Sequence, residues 1–412
     1  MTLTSLGKDR IKVLLLESID PSAAEAFTAD GYTSVTEHPK ALTEEELRHE
    51  IKGAHVLGIR SRTQVTATVL EAADKLIAIG CFCIGTDQVD IAAAEARGIP
   101  VFNAPFSNTR SVAELVLAEI VMLCRGIPQR NAAAHRGEWL KAVAGATEVR
   151  GKTLGIIGYG HIGTQIGLLA EGLGMRVLYH DIEPKLALGN ATPAGSLATL
   201  LQRSDVVTLH VPDTAETITL IGARELAEMK PTAHLINASR GKVVDLDALA
   251  AALEGGRIAG AAIDVFPSEP ESNAQGFDSP LRRFDNVLLT PHIGGSTVEA
   301  QESIGLEVAA KLLKYSNNGS TMTAVNFPEV SLPEHRGKHR LLHTHKNVPG
   351  MLAALNAVLA DAEINIASQY LETSRQVGYA VIDVDGAARP LSATLRKRLD
   401  AIEGTIRTRV LY

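Results

Sequence analysis

A chain of 412 residues holds, at ~150 residues per domain, two or three domains rather than one core. Its formal charge of −7 leaves no basic field for holding nucleic acid, and 45% hydrophobic against 21% charged residues excludes wholesale disorder. Cys81, Cys83 and Cys124 form no disulfide framework and point to a reducing compartment, the cytoplasm. The apolar run Val13–Leu16 is too short for a signal-peptide core, and Val112–Cys124 is interrupted by Glu114 and Glu119, so neither export nor a membrane span is expected.

In chain order, short runs that are apolar on both faces read as buried parallel strands. These are Lys12–Leu16, His55–Ile59 and Leu76–Gly80, then Thr153–Ile157, Val177–Tyr179, Val206–Leu209, Leu235–Asn237, Ala261–Val265 and Val287–Leu289. Between them lie helix-length stretches such as Glu44–Lys52, Ser111–Cys124, Ile162–Leu173, Ala223–Glu228 and Asp245–Glu254. The alternation predicts two doubly wound α/β domains with parallel sheets, Rossmann-like or flavodoxin-like. Turn-rich Asn103–Asn108 separates them, and the paired glycines of Pro291-His292-Ile293-Gly294-Gly295 suit a hinge. A helix over Val298–Tyr315 carries the chain back, so the first domain is expected to be discontinuous, 1–107 with 296–338, around a second at 108–295. The tail, 339–412, reads strand Arg340–His345, helix Pro349–Asp361, strands Ile364–Leu371 and Tyr379–Val384, helix Leu391–Ile402 and strand Thr405–Val410. With Asp385-Gly386 as a turn, this is a βαββαβ, ferredoxin-like pattern.

Gly158-Tyr159-Gly160-His161-Ile162-Gly163 follows a strand and opens a helix. In that context the glycines let the backbone approach a pyrophosphate seated on the helix N-terminus. Asp181 ends the next strand about 20 residues on, where a carboxylate accepts bonds from ribose hydroxyls and repels a 2′-phosphate. The expected cofactor is NAD rather than NADP.

Arg240, Glu269 and His292 stand at or just after strand ends of the second domain, the edge at which open α/β sheets bind ligands. Each alone has an ordinary explanation, as a surface ion pair, a loop carboxylate and a capping histidine. Together they supply what hydride transfer to a 2-oxo acid requires: a fixed cation for the carboxylate and carbonyl, a proton donor near neutral pKa, and a carboxylate that keeps the imidazole oriented and protonated. In the first domain Arg60-Ser61-Arg62 sets two guanidiniums around a hydroxyl, suited to a phosphate dianion or, more blandly, to solvent. Cys81-Phe82-Cys83, on an expected buried strand, lacks companion ligands at metal spacing, and His343-Thr344-His345 lacks a third ligand. No metal is assigned.

Gly155–Gly163 with Asp181, Asn237-Ala238-Ser239-Arg240-Gly241, Ala262-Ile263-Asp264-Val265-Phe266 with Glu269-Pro270, and Pro291-His292-Ile293-Gly294-Gly295 resemble the signatures of the D-isomer-specific 2-hydroxyacid dehydrogenases. The likeness is to the short branch with a C-terminal ACT regulatory domain, and it covers nearly the entire chain. The resemblance implies that Arg240 binds the substrate carboxylate, that His292 is the acid/base and that Glu269 is its partner. It places Gly158, Gly160, His161, Ile162 and Gly163 at the pyrophosphate and Asp181 at the adenosine ribose. Ala238, Ser239, Arg240, Asp264, His292, Gly294 and Gly295 then surround the nicotinamide half, although Asp264 reads nearly as well as a cap of the Pro267 turn. The substrate phosphate falls near Arg60, Ser61 and Arg62. Asn108 also reaches substrate in this reading, or else caps the helix after it.

The same resemblance implies interconversion of 3-phospho-D-glycerate and 3-phosphohydroxypyruvate, the first step toward L-serine, with 2-oxoglutarate reduction as a side activity. The ACT tail would bind L-serine as a feedback effector, between two tails of a homotetramer, through His345, Asn347 and Asn365. Rival readings are a glyoxylate or hydroxypyruvate reductase on the same scaffold and a nucleotide-sensing corepressor.

Overall fold

The computed structural model describes residues 6–142, 145–270, 275–333, 338–385 and 393–411. Gly386 and Leu391, used above to place a turn and a helix start, lie outside the described residues. The chain forms two compact units, Met1–Ser107 with Gln301–Tyr412, and Asn108–Ala300.

In the first unit the elements are β1 (Lys12–Leu15), α1 (Pro21–Ala29), β2 (Ser34–Glu37), α2 (Glu44–Glu50), β3 (Val56–Ile59), α3 (Ala67–Ala72), β4 (Ala78–Cys81), α4 (Ile91–Ala96) and β5 (Val101–Asn103). The helices start where side chains can satisfy their first amides. Asp20 accepts from Ser22 N before α1, Thr43 and Glu46 form a reciprocal capping box at α2, and Asp90 accepts from Ala93 N at α4. The strands form a parallel sheet in the order β2-β1-β3-β4-β5, with Leu14 opposite Leu57 and Leu57 opposite Ile79. Two of these strands escape the sequence reading for physical reasons. β2 is a polar, partly exposed edge, and β5 has three residues directly after Pro100. Cys83 lies beyond β4 rather than on it, with its thiol donating to Gly85 O.

The second unit opens with α5 (Thr109–Cys124) and α6 (Ile127–His135), then β6 (Thr153–Ile157), α7 (His161–Gly172), β7 (Arg176–His180), β8 (Thr192–Pro193), α8 (Leu197–Arg203), β9 (Val206–Leu209), α9 (Ala223–Glu228), β10 (His234–Asn237), α10 (Leu246–Glu254), β11 (Gly260–Ile263) and β12 (Val287–Leu289). Its seven-stranded parallel sheet runs β12-β11-β10-β9-β6-β7-β8. The winding therefore reverses between β6 and β9, and the crevice outside their carboxyl ends is the switch point where such sheets take ligands.

After α11 (Val298–Asn318) come β13 (Lys338–Lys346), α12 (Met351–Asp361), β14 (Ile366–Thr373), β15 (Val377–Asp385), α13 (Ala393–Asp400) and β16 (Thr405–Leu411). The strands make an antiparallel sheet in the order β14-β15-β13-β16. One face packs on α12 and α13 through Leu341, Ile382, Leu355, Leu359, Leu395 and Leu399. The other sends Leu342, Tyr379, Val381 and Leu411 into the core that also holds Phe102, Tyr315 and Phe327.

Arg340 on β13 is fully buried. Its guanidinium forks onto Asp383 of β15 at 2.6 and 2.7 Å and donates to the carbonyls of Asn318 (3.0 Å) and Pro333 (2.8 Å). Asp383→Ala would leave that cation without a counter-charge in the core. The expected cost is about 3–5 kcal/mol, read as a lower urea midpoint, and a loss below ~1 kcal/mol would show that the carbonyls alone satisfy Arg340.

Candidate active site

Behind β6 the glycine motif is shaped by close approaches. Gly158 has φ 89°, and a Cβ there would stand 2.3 Å from His210 O. A Cβ on Gly163 would stand 2.2 Å from Gly158 O, so the start of α7 is drawn tight against the strand end. A Cβ on Gly160 would instead meet nothing within 4 Å. That open face before the exposed amides of a helix N-terminus is a cradle for an anionic pyrophosphate. Asp181, one residue past β7, accepts from Tyr159 N at 2.8 Å and from Glu183 N at 3.0 Å, so it braces the glycine turn. Each carboxylate oxygen keeps acceptor capacity for ribose hydroxyls.

Across the switch point, buried Asn237 at the end of β10 accepts from Ser239 N (3.1 Å) and Ser239 Oγ (2.8 Å) and donates to Arg240 O (3.0 Å). The tight turn through Ala238 and Ser239 thereby presents Arg240, whose Nη1 donates to Ser239 O. Asp264, one residue past β11 and 2% exposed, accepts from Thr290 Oγ1 (2.7 Å), Ile293 N (2.8 Å) and Gly294 N (2.9 Å). Its own carbonyl accepts from His292 N at 2.8 Å. These bonds hold His292 at φ 55°, a conformation uncommon outside glycine and kept here by its surroundings.

From that position His292 Nδ1 lies 2.9 Å from Glu269 Oε2, while Glu269 Oε1 accepts from Phe266 N at 3.1 Å. The hydrogen bond to Glu269 raises the His292 pKa above its ordinary value, against burial and the charge of Arg240. Burial pushes the Glu269 carboxyl up, but the hydrogen bond and charge of His292, the Phe266 amide and Arg240 together hold it below the ordinary range. A cation, an oriented imidazole and its carboxylate thus come together, as the residues suggest. Asp264 is buried beneath the loop as its organiser.

In the first unit, Arg60, Ser61 and Arg62 follow β3, and neither guanidinium has a partner among the described residues. Asn108 precedes α5 without making a side-chain cap. Its Oδ1 is buried with no partner, and its amide lies where a Cβ on Gly295 would fall. In the tail, His345 Nδ1 contacts Lys346 O at 2.8 Å and its Nε2 is buried without a partner. Asn347 donates to Ser374 O and Asn365 to Asp385. Lys346 pairs with Val377 and Ile366 with Val384, so Asn347 and Asn365 sit at opposite ends of the sheet and one chain does not bring them together.

Sequence reasoning missed Asn237 and Thr290 as supports, and it used Glu119 only as a break in an apolar run. Glu119 is buried on α5 with neither oxygen hydrogen-bonded, and burial and then the charge of Asp264 push its pKa up to about 8. The folded chain keeps a proton that the unfolded chain releases above roughly pH 4.3. Stability from this group therefore falls as pH rises from there to about 8. Glu119→Gln, which cannot ionise, is expected to gain in melting temperature on the parent between pH 5 and pH 8. A gap constant with pH would show that Glu119 is already charged in the fold.

The chain matches the D-isomer specific 2-hydroxyacid dehydrogenase, NAD binding domain, over residues 117–294, and the AHAS small subunit-like ACT domain over 341–407. It is 60% identical to D-3-phosphoglycerate dehydrogenase of Escherichia coli (strain K12) over 412 residues, covering 100% of both chains. It is 50% identical to that of Dictyostelium discoideum, covering 99% of each. Among solved structures, a D-lactate dehydrogenase from Sporolactobacillus matches at TM-score 0.66 and 34% identity, over 78% of this chain and 100% of that one. One from Aquifex aeolicus, complexed with NAD and lactic acid, matches at TM-score 0.66 and 28% identity, over 77% and 100%. With its glycine cradle, its His292–Glu269 pair and full-length relatives of one kind, the chain belongs to the D-3-phosphoglycerate dehydrogenases, NAD-dependent oxidoreductases of the D-isomer-specific 2-hydroxyacid dehydrogenase family.

Proposed function

We propose that the chain interconverts 3-phospho-D-glycerate and 3-phosphohydroxypyruvate, and that the observation carrying this is the 2.9 Å His292–Glu269 pair set beside Arg240. NAD, when bound, accepts the hydride from substrate C2 in oxidation and returns it in reduction. Gly158, Gly160, His161, Ile162 and Gly163 would hold its pyrophosphate, Asp181 its adenosine ribose, and Ala238, Ser239, Gly294 and Gly295 its nicotinamide half. Arg240 anchors the substrate carboxylate and draws charge onto the C2 oxygen. In oxidation neutral His292 takes the hydroxyl proton as the C–O bond becomes a carbonyl; in reduction the imidazolium gives it back. Glu269 keeps Nδ1 protonated, so that Nε2 is the atom that exchanges the proton. Arg60, Ser61 and Arg62 read the phosphate, and Asn108 contributes its unpartnered Oδ1 to the substrate side. Reduction of 2-oxoglutarate, which also presents a 2-oxo acid to Arg240, is a side activity of the same groups.

The test is phosphohydroxypyruvate reduction followed by NADH absorbance. His292→Asn is expected to lower kcat by roughly 10²–10⁴-fold with NADH binding retained, and near-normal turnover would remove His292 from the chemistry. Glu269→Gln takes away the anion that raises the His292 pKa, so reduction, which needs the imidazolium, should lose activity at lower pH. An unshifted profile would leave Glu269 a structural carboxylate. A nucleotide sensor would bind NADH and leave its absorbance unchanged.

We further propose feedback by L-serine through the ACT-like tail, in a cytoplasmic homotetramer. His345 offers a buried ring nitrogen beside Asn347, while Asn365 stands at the far end of the same sheet. A site using all three takes Asn365 from a second copy's tail, which makes effector binding depend on assembly. Activity should fall as serine is titrated, and Asn347→Ala or Asn365→Ala should abolish the fall. Full inhibition persisting in both variants would place the effector elsewhere.

A further inference from the structure

Glu17 follows β1 and has no part in the chemistry above, yet it is 8% exposed and its carboxylate is fully engaged by one loop. Oε1 accepts from Arg60 N at 3.2 Å and Thr63 N at 2.9 Å, and Oε2 accepts from Arg62 N at 3.0 Å. The opposite polarity of that loop is held by Gln88, whose Nε2 donates to Arg60 O at 2.6 Å. To aim the carboxylate, the backbone is left-handed at two successive non-glycine residues, Glu17 (φ 65°) and Ser18 (φ 48°). Bonds from Glu17 N to Lys40 O and Ser18 N to His38 O keep it so.

Three amides converging on one point make a ready anion receptor, and here an internal anion fills it. A phosphate arriving at this loop therefore finds the amides of Arg60, Arg62 and Thr63 already taken and is read mainly by the side chains. We infer that Glu17 is the positioning residue of phosphate recognition: it fixes the Arg60–Thr63 loop in the one conformation from which the Arg60 and Arg62 guanidiniums and the Ser61 hydroxyl project together. The inference rests on the phosphate reading of Arg60 and Arg62 given above. With the clamp in place, the substrate does not have to order the loop before binding it, which concentrates the benefit on phosphorylated substrates.

The experiment compares KM for phosphohydroxypyruvate with KM for hydroxypyruvate in Glu17→Gln, Glu17→Asp, Arg60→Ala and Arg62→Ala, with circular dichroism to select folded variants. A glutamine keeps the size but turns an amide donor toward a loop that is itself donating. It should raise the ratio of the two KM values about tenfold, with kcat falling by less than the ratio rises. Glu17→Asp keeps the charge at shorter reach and should fall between the parent and Glu17→Gln; it decides the matter if the glutamine variant does not fold. Combined with Arg60→Ala and Arg62→Ala, Glu17→Gln should add little, because it acts through those side chains. If the arginine variants raise the ratio and neither Glu17 variant does, or if the Glu17 effect adds in full to theirs, this inference fails while the phosphate reading stands. If the arginine variants leave the ratio unmoved, the phosphate reading fails and takes the inference with it.

Discussion

A single buried carboxylate, Asp264, takes three donors from the segment Thr290–Gly294 and so lays the loop after β12 across the end of β11. His292 sits in the middle of that segment, and its left-handed backbone, its amide bond to Asp264 O and its reach to Glu269 all follow from the loop being pinned on both sides. Glu119 shares the field of this carboxylate. Burial first, and then the charge of Asp264, keeps the proton on Glu119, whose two oxygens receive no hydrogen bond to offset the loss of water.

The same device appears three times. Asp264 past β11 collects amides from the loop after β12, Asp181 past β7 collects Tyr159 N from the turn after β6, and Glu17 past β1 collects three amides from the loop after β3. In each case the two strands are hydrogen-bonded neighbours. The reason is general to parallel sheets. Where the ladder stops, the loops at the carboxyl edge carry amides with no strand partner, and a short acidic side chain from the adjacent strand end is close enough to take them. That edge is also where the ligand groups must be displayed. One set of carboxylates therefore closes the hydrogen-bond account and sets the positions of Gly160, Arg60 and His292.

This arrangement also explains how far the sequence could be read. The doubly apolar strands, the glycine turn and the βαββαβ tail were visible because each is a local pattern, whereas β2, β5 and β8 lie at sheet edges or are too short to show one. Arg240, Glu269 and His292 stood out because each follows a strand in a motif of its own. The partners of Glu17 lie more than 40 positions along the chain, and nothing local to a loop glutamate announces them. Asp264 was readable either as a ligand residue or as a cap; its three bonds show it organising the loop that carries His292. Asn347 and Asn365 were grouped by motif, and only the strand register reveals that one sheet holds them apart.

The tail is joined to the rest of its unit in a way that bears on how any ligand there acts. Its inner strands β13 and β15 are covered on both faces, by the tail's own helices on one side and by the core containing Phe102, Tyr315 and Phe327 on the other, while β14 at the edge is largely exposed. Polar ties accompany the apolar ones: Arg340 spans Asp383 and the carbonyls of Asn318 and Pro333, Tyr379 Oη donates to Gly319 O, and Arg407 donates to Leu76 O. Leu76 lies just before β4, the neighbour in the sheet of the strand that leads into the Arg60–Thr63 loop. Sliding the tail against this surface would take two carbonyl acceptors from the buried Arg340 guanidinium and open packed aromatic contacts, both costly in a close-packed interior. A ligand at the tail therefore works on a body that already includes the Arg60–Thr63 loop. Its influence has to come from a different affinity for two states of that whole body, rather than from a tail that swings free of it.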